Sequence, residues 1–369
     1  MPFGEIVIGS PGSGKSTYAY GKYQLCTALS RPISIVNLDP ANSALPYPCA
    51  IDISHLISLE SVMDTYGLGP NGALIYCMEY LEANFDWLEE RLAQLDPAAW
   101  VVFDIAGQVE LSTNHDSLKR IVQRLQKLDY RLAAVHLCDA HYVTDASKYV
   151  SVLLLSLRTM LQLELPHINV LSKVDLITQY GDLSFNLDFY TEVQDLSYLE
   201  AQLASQPGGT KFASLNRAIC DLVEDFGLVG FETLAVEDKA SMLRLLRVVD
   251  NATGYVFAPP PGAREATPAA PLAREAQRRS TTGPNTDALF SSAFSALPGG
   301  DVRDVQERWV DAREEWDEWE REQWAKEGEA VARQKTEEEL RERKRQNKES
   351  AQGGQDKGVK GTRIRERKA

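Results

Sequence analysis

The chain has 369 residues, a formal net charge of −14 and a hydrophobic share of 44%. That length suits one large domain or two smaller ones with tails, and the apolar share is enough for a core of that size. The acidic balance argues against nucleic-acid binding, which leaves a basic footprint. Five cysteines (Cys26, Cys49, Cys77, Cys138, Cys220) are scattered and form no C-x-x-C pair. They read as small core residues in a reducing compartment, not as a disulfide frame or zinc site. No apolar run reaches the ~18 residues of a spanning helix, and no signal-peptide pattern opens the chain. The expectation is a soluble intracellular protein with no membrane and no direct nucleic-acid partner.

In chain order, Ile6-Val7-Ile8 predicts a buried strand. Gly9-Ser10-Pro11-Gly12-Ser13-Gly14-Lys15-Ser16-Thr17 follows it and fits G-x-x-x-x-G-K-S/T without a mismatch. A helix over 18–29 completes a strand, Gly-rich turn and helix. In such a loop successive N–H groups of Gly12, Ser13, Gly14, Lys15, Ser16 and Thr17 turn inward, and the helix offers its positive end to an anion. Lys15 is expected to reach the β- and γ-phosphates and the Ser16 hydroxyl to ligate Mg²⁺. The bland alternative is an ordinary Gly/Ser turn before a helix.

Ile33 to Leu38 is the next strand, ended by Asp39-Pro40-Ala41. Ligands of an open parallel sheet bind beyond the carboxyl ends of its strands, which places Asp39 beside the phosphate loop or leaves it a plain turn residue. Residues 57–66 predict a short helix, 67–72 a turn by composition, and 73–92 one long helix with Leu74, Met78, Leu81, Phe85 and Leu88 on its core face. Trp100-Val101-Val102-Phe103 is a strand ending in Asp104-Ile105-Ala106-Gly107-Gln108, a D-x-x-G-Q segment. Asp104 suits a Mg²⁺ partner of the Walker B kind, the Gly107 amide suits the γ-phosphate, and Gln108 suits a water-orienting role. Residues 133–138 make a further strand, in which His136 reads as a satisfied core histidine; the five histidines show no metal-ligand spacing. A helix over 149–163 precedes the strand 168–171, which ends in Ser172-Lys173-Val174-Asp175, a variant of N-K-x-D. A carboxylate at Asp175 accepts from guanine N1–H and the 2-amino group, and adenine would leave it unpaired. The Lys173 stem can lie along the base.

Residues 178–228 read as mostly helical, broken at Pro207-Gly208-Gly209, followed by a strand over 231–236 and a closing helix over 238–255. The expected fold is α/β, a P-loop NTPase with a mostly parallel sheet flanked by helices. The expected domain spans 1–257, followed by a linker over 258–300 rich in Pro, Ala, Ser and Thr. A charged helix over 301–348 carries Trp309, Trp316, Trp319 and Trp324, and 349–369 is a basic tail. The tryptophan helix reads first as a solvated helix or tail, second as a docking helix with aromatic anchors.

The motifs together resemble the GPN-loop GTPases. The resemblance rests on Gly69-Pro70-Asn71 in its place between the Asp39 turn and the D-x-x-G-Q segment. It extends through Asn37-Leu38-Asp39-Pro40-Ala41-Asn42, Tyr76-Cys77-Met78-Glu79-Tyr80-Leu81, Gly107-Gln108-Val109-Glu110-Leu111 and Leu165-Pro166-His167-Ile168-Asn169. It implies a GTP-hydrolysing switch with Mg²⁺ that works as a dimer with itself or a GPN-loop paralogue, the two sites facing each other and Asn71 reaching the partner's phosphates. Asp39, Gln108 and Glu110 are then candidates for positioning water, with the base left open among them. The resemblance further implies assembly and nuclear import of RNA polymerases II and III, by a cytoplasmic protein that shuttles to the nucleus. Two positions depart from the family pattern: Ala106 stands where proline is usual, and Ser172 replaces an asparagine whose amide would brace the phosphate loop. Two rivals remain at this stage. A P-loop kinase would need an acceptor pocket and no Gln108, and a nucleotide-binding adaptor would act through the tryptophan tail.

Overall fold

The computed structural model describes residues 2–42, 44–206, 210–255, 302–319, 321–322 and 325. Its centre is a sheet of seven strands: β1 (Phe3–Gly9), β2 (Ile33–Leu38), β3 (Ile51–Asp52), β4 (Trp100–Ile105), β5 (Arg131–Asp139), β6 (His167–Ser172) and β7 (Phe231–Leu234). They lie in the order β3-β2-β4-β1-β5-β6-β7, and all six pairings are parallel. Parallel strands covered on both faces need apolar residues at consecutive positions, which is why Ile6, Val7 and Ile8 are all buried. The strand period still sorts them. Ile6 and Ile8 face one cluster with Phe103 and Ile105, while Val7 faces the other with Trp100 and Val102.

The first cluster is closed by α3 (Pro70–Ala83), α4 (Phe85–Leu92) and α6 (Asp116–Lys127), the second by α1 (Lys15–Ala28) and α12 (Lys239–Thr253). A third cluster lies over β5, β6 and β7, built by α7 (Ala146–Leu163), α9 (Leu187–Glu192), α10 (Leu199–Ser205) and α11 (Ala213–Phe226). The expected α/β architecture stands. The remaining helices are α2 (Leu59–Tyr66), α5 (Val109–Thr113) and α8 (Ile177–Tyr180). Among the described residues, no helix is long and apolar enough to cross a membrane.

Several elements differ from the sequence expectation. Helix α1 begins at Lys15, so the phosphate-loop lysine, Ser16 and Thr17 form its first turn. The long helix over 73–92 is two, parted at Asn84, whose side-chain amide donates to the Tyr80 carbonyl (2.8 Å). The turn at 67–72 is a helix stop followed at once by a helix start. Gly67 closes α2 with a positive φ of 65°, Gly69 precedes α3, and Pro70 takes its first position. Strand β3 was not expected; its two residues pair with Val36 and Asn37.

Residues 1–310 form one compact unit and 311–369 a second. Within the first, a short helix (Val302–Gln306) lies on the third cluster. Val305 is buried there, Trp309 and Val310 pack against it, and the Gln306 side chain accepts the Leu187 N–H (2.8 Å). The start of the tryptophan helix is thus a packed element and not a solvated one, because Val302, Val305 and Trp309 share a face. In the second unit Trp316 and Trp319 meet edge to face at 5.5 Å. The expected linker and basic tail lie outside the described residues, as does Trp324.

Candidate functional site

The carboxyl ends of β1, β2, β4, β5 and β6 lie along one edge of the sheet, and all but β5 deliver a residue that the sequence singled out. From β1 the chain turns into the loop 9–14 and enters α1. Gly14 stands at the helix entrance with φ 92°, a conformation that disfavours any residue with a Cβ. No side chain caps α1, so the N–H groups of its first turn remain for an anion. The Lys15 ammonium folds back onto the Gly9 and Ser10 carbonyls, 3.1 Å from each. Burial pulls its pKa down, and the charges of Asp104 and Asp39 oppose that shift. The lysine therefore sits between two carboxylates above an anion-binding helix end. Ser13 is fully buried and Thr17 exposed.

From β4 comes Asp104, 1% exposed. Its Oδ2 accepts from Ser16 Oγ (2.9 Å) and from Tyr47 Oη (2.7 Å), while Oδ1 is buried with no hydrogen-bond partner among the described residues. Burial pushes the carboxyl upward, opposed by the Tyr47 and Ser16 hydroxyls and by Lys15. The Tyr47 phenol is itself pushed upward, by burial first and then by Asp104, so it stays protonated and donates. From β2, Asn37 shapes the turn that carries Asp39. Its Oδ1 accepts the Asp39 N–H (3.1 Å), and its Nδ2 reaches Asp52 Oδ1 (3.0 Å). Asp39 Oδ1 accepts the Ala41 N–H (2.9 Å), and burial raises its pKa against that bond and Lys15. Asn42 Nδ2 reaches Ser16 Oγ at 3.4 Å.

The D-x-x-G-Q turn crosses directly over the phosphate loop. A Cβ on Gly107 would stand 2.5 Å from Lys15 Nζ and 3.2 Å from the Pro11 backbone, so a larger residue would have to displace the lysine head and press on the loop. Gln108 Nε2 donates to Asn71 Oδ1 at 2.7 Å. The Gly69-Pro70-Asn71 segment, at the exposed start of α3, thus meets Gln108 within one chain. Glu110 stands exposed in the first turn of α5, and no hydrogen bond among the described residues ties it to the loop.

At the far end, the bracing amide is absent, as the sequence indicates, and the Ser172 hydroxyl braces the phosphate loop in its place. The hydroxyl donates to the Ser13 carbonyl (2.7 Å) and lies 3.1 Å from the Cys138 carbonyl. Serine works here because β6 brings its hydroxyl to the loop itself, so no longer amide is needed. Lys173 takes a left-handed φ of 60°, and its Nζ meets Asp139 Oδ2 at 2.7 Å, which fixes the stem. Val174 is buried, and Asp175 sits half-buried in the 3₁₀ turn Val174–Leu176. His136 is not drawn into the site. It is a core residue, as expected, with Nδ1 3.2 Å from Asn169 Oδ1.

Sequence reasoning missed Tyr47, Asn37, Asn42 and Asp139 as site residues. The residues present fit a divalent cation: Asp104 Oδ1 is a buried carboxylate oxygen with nothing to accept from, beside the Ser16 hydroxyl. A hard cation with few protein ligands takes the rest of its shell from water and phosphate oxygens.

This fold and edge define a P-loop nucleotide hydrolase. A family model described as "Conserved hypothetical ATP binding protein" matches residues 7–255. The chain is 56% identical over 257 residues to GPN-loop GTPase 2 of Danio rerio, covering 70% of this chain and 82% of that one. It is 49% identical over 329 residues to GPN-loop GTPase 2 of Schizosaccharomyces pombe, covering 88% and 96%. A GTPase from Pyrococcus abyssi solved in its apo form shares the fold at a TM-score of 0.54 and 23% identity, covering 67% of this chain and 96% of that one. The chain belongs to the GPN-loop GTPase family and is a GTP hydrolase.

Proposed function

We propose that the chain hydrolyses GTP with Mg²⁺ as a dimeric switch whose Asn71 serves a partner's site. The observation that carries a hydrolytic role for the tripeptide is the bond between Asn71 and Gln108 within one chain (2.7 Å), which sets it beside the turn that covers Lys15, and the family resemblance supports the dimer. Exposed Tyr66, Leu68 and Tyr80 near it offer apolar surface for a second subunit. In this reading Lys15 and the first turn of α1 hold the phosphates. Ser16 and Asp104 hold the cation, which when bound neutralises charge on the β- and γ-phosphate oxygens. Gln108, with Asp39 beside Lys15, orients the attacking water, and the Asn71 amide donates to charge developing on the transferred phosphoryl. Asp175 and the fixed stem of Lys173 select guanine, which accords with the relatives' names against the adenine of the family model's description. Loss of the γ-phosphate releases the segments at Asp39 and Gly107 and changes the face offered to clients. The family resemblance supports RNA polymerase II and III subunits as those clients, met in the cytoplasm before nuclear import.

The test is steady-state hydrolysis of GTP against ATP with Mg²⁺, with molecular mass measured in the same buffer. GTP preference, a dimer, and an Asn71→Ala variant about 100-fold slower with nucleotide affinity kept are the expected results. Equal use of ATP, or an Asn71→Ala variant of unchanged rate, would overturn the reading of Asp175 or of Asn71 respectively.

A further inference from the structure

We propose that Tyr47 is a positioning residue for the divalent cation, holding the Asp104 carboxylate so that one oxygen is kept for the ion. The inference rests on the reading of Ser16 and Asp104 as the residues that hold it. The two oxygens of Asp104 are treated unequally. Oδ2 takes both hydroxyl donors, Tyr47 Oη at 2.7 Å and Ser16 Oγ at 2.9 Å, whereas Oδ1 is buried and has none. A carboxylate held on one oxygen by two hydroxyl donors cannot rotate without breaking both bonds, one of them buried, so Oδ1 is held in one direction. Ser16 keeps its donor bond when its own lone pair is given to a cation, because a hydroxyl has one proton and two acceptor sites.

Tyr47 is built to hold that position. It is 5% exposed, and its ring lies in the cluster with Val7, Ile35 and Val102, on the sheet face that Asp104 shares by strand parity. It stands between Pro46 and Pro48. Proline fixes its own φ, and the residue before each proline, here Leu45 and Tyr47, is confined to extended backbone. The segment is then tied down where the Ala50 N–H donates to the Ile35 carbonyl (2.8 Å). A strap this stiff loses little freedom on presenting its phenol. Asn42 reaches Ser16 from the turn after β2, so both cation-holding side chains are touched by residues that follow that strand. Partners that hydrogen-bond a metal-holding carboxylate are worth about 10–100-fold in metal affinity.

The full chain loaded with a fluorescent GDP analogue provides the test, with release timed across a Mg²⁺ titration. Tyr47→Phe keeps the ring and deletes only the donor. The expected result is a Mg²⁺ midpoint raised about tenfold or more, with release in excess EDTA within about twofold of the parent. A merely structural tyrosine would change release in EDTA and leave the midpoint in place. Asp104→Asn separates the two claims. If it moves the midpoint and Tyr47→Phe does not, the proposal for Tyr47 falls. If Asp104→Asn itself leaves the midpoint unmoved, the cation site is elsewhere and both readings fall.

Discussion

Replacing Ser172 by alanine removes one hydroxyl from the point where β6 touches the phosphate loop. The residue is 2% exposed, and its Oγ lies 2.7 Å from the Ser13 carbonyl and 3.1 Å from the Cys138 carbonyl. One proton serves two acceptors, and the shorter contact takes the larger share. The bond itself is worth about 1 kcal/mol, and a buried carbonyl left without a donor costs about 1–3 kcal/mol. No volume is lost beyond one oxygen, so the core term is small. If the loop stays in place, the whole cost appears as lost folding stability. If the loop relaxes to rehydrate Ser13, the cost is met again when nucleotide reorders it. At about 1.4 kcal/mol per decade, an affinity loss of roughly tenfold is expected. Calorimetric titration with GDP, paired with urea unfolding of the nucleotide-free chain, measures both shares. A variant that keeps GDP affinity within twofold and an unchanged unfolding midpoint would show that the hydroxyl does not hold the loop.

Two further predictions follow from the geometry. Gly107→Ala places a methyl group against Lys15 Nζ and the Pro11 backbone, so the turn lifts off the loop. GTP turnover should fall at least about tenfold while the unfolding free energy from urea titration stays within about 1 kcal/mol, and an unchanged kcat would refute the close approach. Burial lowers the pKa of His136 to about 4 from 6.5, so the folded chain holds it neutral where the unfolded chain binds a proton. Its contribution to stability is complete above pH 6.5 and is lost as pH falls toward 4, by about 1.4 kcal/mol per unit and about 3 kcal/mol in all. His167, also lowered by burial, acts in the same direction. Urea midpoints at pH 7.5, 6 and 5 check this, and equal stability at all three would contradict a neutral buried histidine.

The strands that carry the site were legible because each is a mostly apolar, β-branched run that ends in a polar or turn-forming residue. Val101, Val102 and Phe103 before Asp104 illustrate it, as do Val170 and Leu171 before Ser172. Two residues have no period, so β3 left no signal. The apolar stripe of 73–92 runs on through Phe85 and Leu88, which hides the break at Asn84; the break depends on a local amide bond that composition does not reveal. Gly69-Pro70 read as a turn because both residues oppose helix interiors, yet before and at the first helical position they favour a start. Tyr47 and Asn37 were missed for a different reason. Tyr47 reaches Asp104, 57 positions on, from a stretch with no periodicity, and Asn37 sits inside a strand where its side chain turns back to the Asp39 N–H two residues on and across to Asp52 of β3.

The Asn71–Gln108 bond raises a question of magnitude for the proposed dimer. In one chain Asn71 is held by Gln108, whereas the switch requires its amide to serve the partner's phosphates. The bond joins two side chains at the surface, where water competes with both. Its net worth is about 0.5–1.5 kcal/mol. A subunit interface built on Tyr66, Leu68 and Tyr80 gains about 25 cal/mol for each Å² of apolar surface covered, so some tens of Å² offset the bond. Its effect is to set the resting orientation of both amides: Asn71 waits at the exposed start of α3, and Gln108 is turned toward it and away from disordered rotamers. Because Asn71 Oδ1 is the acceptor, its Nδ2 donor remains for the phosphoryl oxygens even while Gln108 is bound. The two amides can therefore act together, and a partner's approach need not break the bond between them.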